Sequence, residues 1–219
     1  MNRFRLAAID LDGTLLPDDS SGVHLARVIG HATELAELEA RYNRGEISNE
    51  EVATADGAYY RGHRVADMAA YLADISVISG AEEGLTELRA AGIDTILATV
   101  AWTHASEYFR VRLGFESASG CGLEVDIDGT FTGRVAVQFD ELDKLAFVEA
   151  EVADRRIEWE QVVAIGDSRS DVPIFRKAGL AIALNGSAEA RQAAHVSVDG
   201  QDFRDVLPFI LGSQTGARR

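Results

Sequence analysis

The chain has 219 residues, 47% apolar and 26% charged, with a formal net charge of −15 and one cysteine, Cys121. That length can bury a full core without disulfide staples, and one cysteine permits no internal disulfide, which suits a reducing compartment. The negative charge argues against nucleic-acid partners. No run approaches the roughly 18 apolar residues of a membrane span, and Asp10 arrives before a signal-like apolar region could form. The sequence therefore reads as soluble and cytoplasmic.

The first predicted element is the apolar run Phe4 to Ile9, a strand of the kind buried on both faces, ending at Asp10. Only helices follow: Leu25 to Tyr42, Ser48 to Tyr60 opened by a Ser48/Glu51 capping box, and Val65 to Ile75. Then comes a helix over Glu82 to Ala91, opened by Ser79 with Glu82 three later, and a strand over Ile93 to Thr99. Further on, an amphipathic helix covers Asp140 to Arg156 and a strand Gln161 to Ile165. A helix at Asp171 to Ala178, with Pro173 near its start and Gly179 after its end, leads to a strand at Leu180 to Leu184. Strands alternating with helices predict an α/β fold with a doubly wound parallel sheet. The core is expected at 1–16 plus 79–212, an all-helical insert serving as a lid at 17–78, and a fraying polar tail at 213–219.

One five-residue pattern, D-x-D-G-T, occurs twice, at 10–14 and 126–130. The second copy sits between Leu123, Val125 and Ile127 on one side and Phe131, Val135 and Val137 on the other. Asp-Gly between two alternating runs is a hairpin signal, which makes Asp126 and Asp128 turn and solvent-face residues. The first copy ends a buried strand, so Asp10 and Asp12 lie where open α/β sheets bind ligands. Two carboxylates there need a compensating cation or shared proton. A calcium loop of the EF-hand type is excluded, since counting from Asp10 puts Leu15 at position 6 and Ser21 at position 12.

Three other positions join this pair. Thr99 ends a strand and could bond a phosphate, although a strand-end threonine is ordinarily structural. Lys144 lies in the first turn of a helix, where the macrodipole disfavours a cation; an ordinary lysine would be solvated. Gly166-Asp167-Ser168-Arg169-Ser170-Asp171 leaves an apolar strand and opens a helix. Asp171 also suits a helix start. Asp10, Asp12 and Asp167 together make an oxygen-rich cluster suited to magnesium.

D-x-D-G-T, strand-end Thr99, Lys144 and G-D-S-x-S-D, in that order, resemble the haloacid dehalogenase superfamily, and the inserted helices resemble the lid of its phosphoserine-phosphatase-like members. The resemblance implies Asp10 as nucleophile, forming an aspartyl-phosphate, and Asp12 as general acid and base. It implies magnesium held by Asp10, the Asp12 carbonyl, Asp167 and Asp171. Phosphate would be bound by Thr99, Lys144 and the loop at Gly13 and Thr14. The second Asp of the motif marks phosphatases and phosphomutases, not dehalogenases.

Phosphoserine-selective relatives carry a glutamate soon after the first motif and an arginine on a lid helix. Here Asp18 and Asp19 fall near the glutamate's place, and Glu50 to Asp56 offers no arginine. The expected substrate is thus a small phosphate ester such as a sugar, amino-alcohol or cyclitol phosphate, with Asp19 (or Asp18), Tyr60, Arg61 and Trp102 selecting it. The alternatives are a phosphomutase, a receiver domain, disfavoured by the helical insert, and an inactive binding module. No feature fixes the oligomeric state.

Overall fold

The computed structural model of the chain describes residues 3–44 and 46–212; the tail expected at 213–219 lies outside them. After β1 (Leu6–Ile9) come α1 (Ser21–Ile29), α2 (Ala32–Asn43), α3 (Asn49–Gly57), α4 (Val65–Leu72) and α5 (Ala81–Ala90). Next are β2 (Asp94–Leu97), α6 (Thr103–Leu113), the strands β3 (Gly122–Val125) and β4 (Phe131–Val137), and α7 (Glu141–Arg155). The chain continues through β5 (Val162–Gly166), α8 (Val172–Phe175), β6 (Leu180–Leu184), α9 (Ala188–Ala193), β7 (Val196–Val198) and α10 (Leu207–Leu211).

Five strands form one parallel sheet in the order β2-β1-β5-β6-β7. Strand residues alternate between faces, and helices cover both. Leu6, Ala8, Val162 and Ala164 pack into one cluster with Val148 and Val152 of α7. Ala7, Ile9, Val163 and Ile165 pack into the other with Leu85 and Leu88 of α5. Each large aliphatic side chain so buried contributes about 1.5–3 kcal/mol. The chain leaves β1 for β2 on one side and reaches β5 on the other. The carboxyl end of β1 is therefore a topological switch point, flanked by two further strand ends.

Several boundaries differ from the sequence expectation. The helix expected from Leu25 to Tyr42 is two helices, broken at Gly30, whose left-handed φ of 102° closes α1. The Ser48/Glu51 capping box opens α3 as expected. The one expected at Ser79 does not form: Gly80 is the residue before α5 and carries no side-chain cap. Asp202 presses against that glycine, where a Cβ would lie 2.1 Å from its Oδ1. Helix α6 and strand β7 were not anticipated.

The second D-x-D-G-T string is a turn. Asp126 Oδ1 accepts hydrogen bonds from the backbone N–H groups of Asp128 and Thr130, both 2.9 Å, and Gly129 alone takes positive φ, at 78°. The hairpin also binds the helical insert through main chain. Gly62 N–H donates to Phe131 O at 3.0 Å, Val65 N–H to Gly129 O at 3.0 Å, and Phe131 N–H to His63 O at 2.9 Å. Asp126→Ala is expected to cost about 0.5–1.5 kcal/mol in urea unfolding, the worth of these turn bonds, with no loss of catalytic turnover. A turnover loss would show that the two strings share a role.

Candidate active site

The loop leaving β1 turns sharply, with Leu15 and Leu16 N–H both donating to Leu11 O at 2.8 and 2.9 Å. This leaves Asp10 at the strand end, 5% exposed, with its N–H on Ile165 O. The parallel neighbour β5 delivers Asp167 and, four residues on, Asp171. Oxygens of Asp10, Asp167 and Asp171 lie within 4.8 Å of one another. Lys144 comes in from α7, wholly buried, and donates to Asp10 Oδ1 and Asp171 Oδ1 at 2.7 Å each and to Ser170 Oγ at 3.2 Å. The solvated-lysine reading is excluded. Asp140 and Asp143 cap the start of α7 reciprocally, offsetting the unfavourable position of a cation in its first turn.

Asp171 does two things at once. Its Oδ2 accepts from the Asp167 and Ser168 N–H groups at 3.1 and 3.0 Å, shaping the loop, while Oδ1 meets Lys144. Gly166 makes this possible, since a Cβ there would sit 2.1 Å from Asp171 Cγ. Gly13, at φ 83°, likewise admits the Asp167 carboxylate, which would lie 2.4 Å from an added Cβ. Thr14 is buried and donates to Asp167 Oδ1 at 3.3 Å.

Three carboxylates against one ammonium leave an excess of buried negative charge. Burial pushes the Asp10 pKa well up; Lys144 opposes that, and the charges of Asp171 and Asp167 add to it. Burial also lifts Asp167 to about 6, with Asp171 adding and Lys144 opposing. A divalent cation among these oxygens would relieve both, so the hard oxygen donor set fits a metal ion.

Asp12 points elsewhere. Its Oδ1 accepts from Ser21 N–H at 2.6 Å and its Oδ2 from Ser21 Oγ at 3.0 Å, at the start of α1. Burial raises its pKa despite those bonds and the charge of Lys144. Thr99 is buried at the end of β2, beside β1; its Oγ1 accepts from Ala101 N–H at 3.2 Å, and Ser119 Oγ brackets its backbone at 2.8 and 2.9 Å.

Beside Asp12 lies a cavity of about 250 Å³ whose wall includes Ser21, Glu39, Asp56 and Trp102. Asp56 is 4% exposed, with Oδ1 2.6 Å from His31 Nε2 and Oδ2 accepting from Trp102 Nε1 at 2.7 Å.

The structure thus brings together Asp10, Asp12, Gly13, Thr14, Thr99, Lys144, Asp167 and Asp171, with Trp102 on the adjoining cavity. Four expectations need correction. The N–H groups of Gly13 and Thr14 are engaged within their own loop, by Leu16 O at 3.0 Å and Leu11 O at 3.3 Å, so they are not free phosphate donors. Asp19 is held by Arg27 at 2.6 Å and is not part of the cavity wall, and Asp18 is exposed. Tyr60 is wholly buried among Trp102, His104 and Phe131. Exposed Arg61 donates to Thr132 O on the hairpin at 3.0 Å. Sequence reasoning missed Ser21, Glu39, Asp56 and Ser119. For Asp56 a signal existed: Ala53 and Asp56, three apart, share one face of α3.

Known proteins bear on this arrangement. The family model of haloacid dehalogenase-like hydrolases matches residues 7–176. A phosphoserine phosphatase of Streptomyces coelicolor is 29% identical over 209 residues, 95% of this chain, which spans 50% of that relative's length. One from Albidiferax ferrireducens is 28% identical over 217 residues, covering 96% of this chain and 91% of its own. Among solved structures, a phospho-aspartyl intermediate analogue of phosphoserine phosphatase superposes with a TM-score of 0.82 at 25% identity, over 95% of this chain and 99% of that one. A HAD family hydrolase from Salmonella enterica serovar Typhi shares the fold, with a TM-score of 0.89 at 19% identity, over 97% and 73% of the two chains. Among the described residues no helix is long and apolar enough to cross a membrane.

Proposed function

The chain belongs to the haloacid dehalogenase-like hydrolases, and on that footing we propose that it is a magnesium-dependent phosphatase of small phosphate esters working through a phosphorylated Asp10. The observation that supports this most is the buried contact of Asp10 with Lys144, within 4.8 Å of two more carboxylates at a neighbouring strand end. In this reading residues 17–78 act as a lid over a core formed by the rest.

Lys144 pulls Asp10 towards its ionised, nucleophilic form and fixes the carboxylate through one oxygen. The other oxygen attacks phosphorus in line as the bond to the alcohol oxygen breaks. Asp12, whose pKa is raised by burial, holds the proton that the departing alkoxide needs. It then takes a proton from water as that water attacks the phosphorylated Asp10, releasing inorganic phosphate and restoring the carboxylate. Lys144 and Thr99 offset charge on the transferred group. Asp10, Asp167 and Asp171 would hold magnesium with the Asp12 carbonyl; bound there, the ion neutralises an arriving phosphate.

The test is inorganic phosphate release across a panel of phosphomonoesters, with magnesium and with chelator, alongside thermal unfolding. Magnesium at about 100 times its Kd should stabilise the fold by about 2.7 kcal/mol, and Asp167→Asn should lose both that shift and turnover. Equal release in chelator would remove the metal from the reading. No release from any ester would remove the phosphatase. Phosphoryl groups recovered on an alcohol instead of in water would make it a mutase.

A further inference from the structure

Two cavities that share Asn49 and Val100 open beside the site: one of about 570 Å³ walled by Ser168, Arg169 and Ser170, and one of about 250 Å³, which alone of the two has Asp12 in its wall. Asp12 must reach the oxygen that joins phosphorus to carbon, and Asp12 also lines the cavity of about 250 Å³ between the loops that leave β1 and β2 and the helices α2 and α3. Asp12 therefore ties the group on that oxygen to this cavity and not to the larger one. The volume of this cavity lies below the usual range for drug-sized ligands, so the group is small.

The charged side chains in its wall are all carboxylates: Asp12, Glu39 and Asp56, with no lysine or arginine among them. Lys144 is already bound by Asp10 and Asp171, and Arg27 by Asp19. Asp56 has a partner on each oxygen. Glu39 is different: among the described residues its carboxylate accepts no hydrogen bond, although it is partly buried. Burial, then the charges of Asp56 and Asp12, raise its pKa. The Tyr60 hydroxyl, buried and without a hydrogen-bond partner, is raised by burial and by the same two carboxylates. The space is thus walled by acids, with one unmatched acceptor, Glu39, among them. The Trp102 indole, fixed by Asp56, completes the wall with an aromatic surface of the kind that attracts ammonium groups.

A carboxylate in that space would face Glu39 and Asp56 with no lysine or arginine in its wall, Arg169 belonging to the neighbouring cavity. A hydroxyl would leave the excess charge standing. We propose that this cavity selects a phosphate ester whose alcohol carries a protonated amine and no carboxylate, with Glu39 pairing with the ammonium. The proposal rests on the phosphatase reading above and narrows it to amino-alcohol phosphates.

Three esters of similar size decide it: 2-aminoethyl phosphate, 2-hydroxyethyl phosphate and O-phosphoserine. The amine ester should exceed each of the others at least tenfold in kcat/KM, and Glu39→Gln should bring the amine-to-hydroxyl ratio close to one. Equal or better turnover of the hydroxyl ester or phosphoserine overturns the proposal, as does a ratio that survives in Glu39→Gln. Should that variant not fold, the wild-type ratio alone decides. Calorimetric titration with 2-aminoethanol, against ethylene glycol as control, separates the two levels. If no ester is hydrolysed but 2-aminoethanol binds and glycol does not, the phosphatase reading falls and the cation site stands. If no ester is hydrolysed and the amine does not bind, the cation site falls too.

Discussion

Asp10→Asn should lower phosphate release by about four orders of magnitude or more, the scale seen when a covalent nucleophile is removed, while leaving the fold at least as stable. The two halves have one cause. The amide keeps the shape and a hydrogen-bonding oxygen near Lys144 but cannot attack phosphorus. It also takes one negative charge out of a site where burial and two neighbouring carboxylates already push the Asp10 pKa up. At neutral pH that crowding opposes folding, so its relief should raise unfolding free energy by about 0.5–2 kcal/mol, as often happens when function and stability compete. Urea unfolding in chelator and phosphate release measure the two halves. Retention of more than a few per cent of turnover would show that Asp10 does not form the covalent bond.

Lys144→Met has the opposite signature, with activity and stability failing together. Methionine fills similar volume, and were Lys144 merely packing, the exchange would cost less than about 1.5 kcal/mol. Instead it leaves Asp10 and Asp171 buried without their ammonium, and breaking a buried pair in this way costs about 3–5 kcal/mol. The deficit should depend on pH. Without Lys144 the Asp10 pKa, already raised, rises further. A carboxyl raised in the folded state favours folding fully below its unfolded pKa and loses that contribution as pH rises through the folded value. The variant should therefore be least stable, relative to wild type, at pH 7–8 and recover ground towards pH 5. A pH-independent deficit would assign the loss to packing alone.

What the sequence discloses here follows burial. Strands β1, β5 and β6 are covered on both faces, so they are continuous apolar runs, and acids that interrupt them at their ends stand out. Lys144 was legible for a related reason, since a cation in a helix's first turn runs against local electrostatics. Strand β7 has three residues and α6 opens on polar ones, so neither carries enough period to be read. Glu39 and Asp56 were hidden differently. Each sits in a helix rich in acids, and only tertiary packing turns one to the cavity and buries the other beside His31, 25 positions away. Tyr60 and Arg61 misled because an aromatic and a base near an expected rim look alike whether they face in or out.

The strip of main chain at 62–65 is fastened to the hairpin by backbone donors and acceptors, which every non-proline residue owns. Such a seam is indifferent to lineage. Residues around it can be exchanged over generations without unseating the helices it secures. The position that reads the alcohol, Glu39, lies on α2, apart from that seam. Inheritance can therefore keep the attachment and rewrite the reader, and a designer has the same freedom: new specificities can be drafted at 39 while the mounting is left alone.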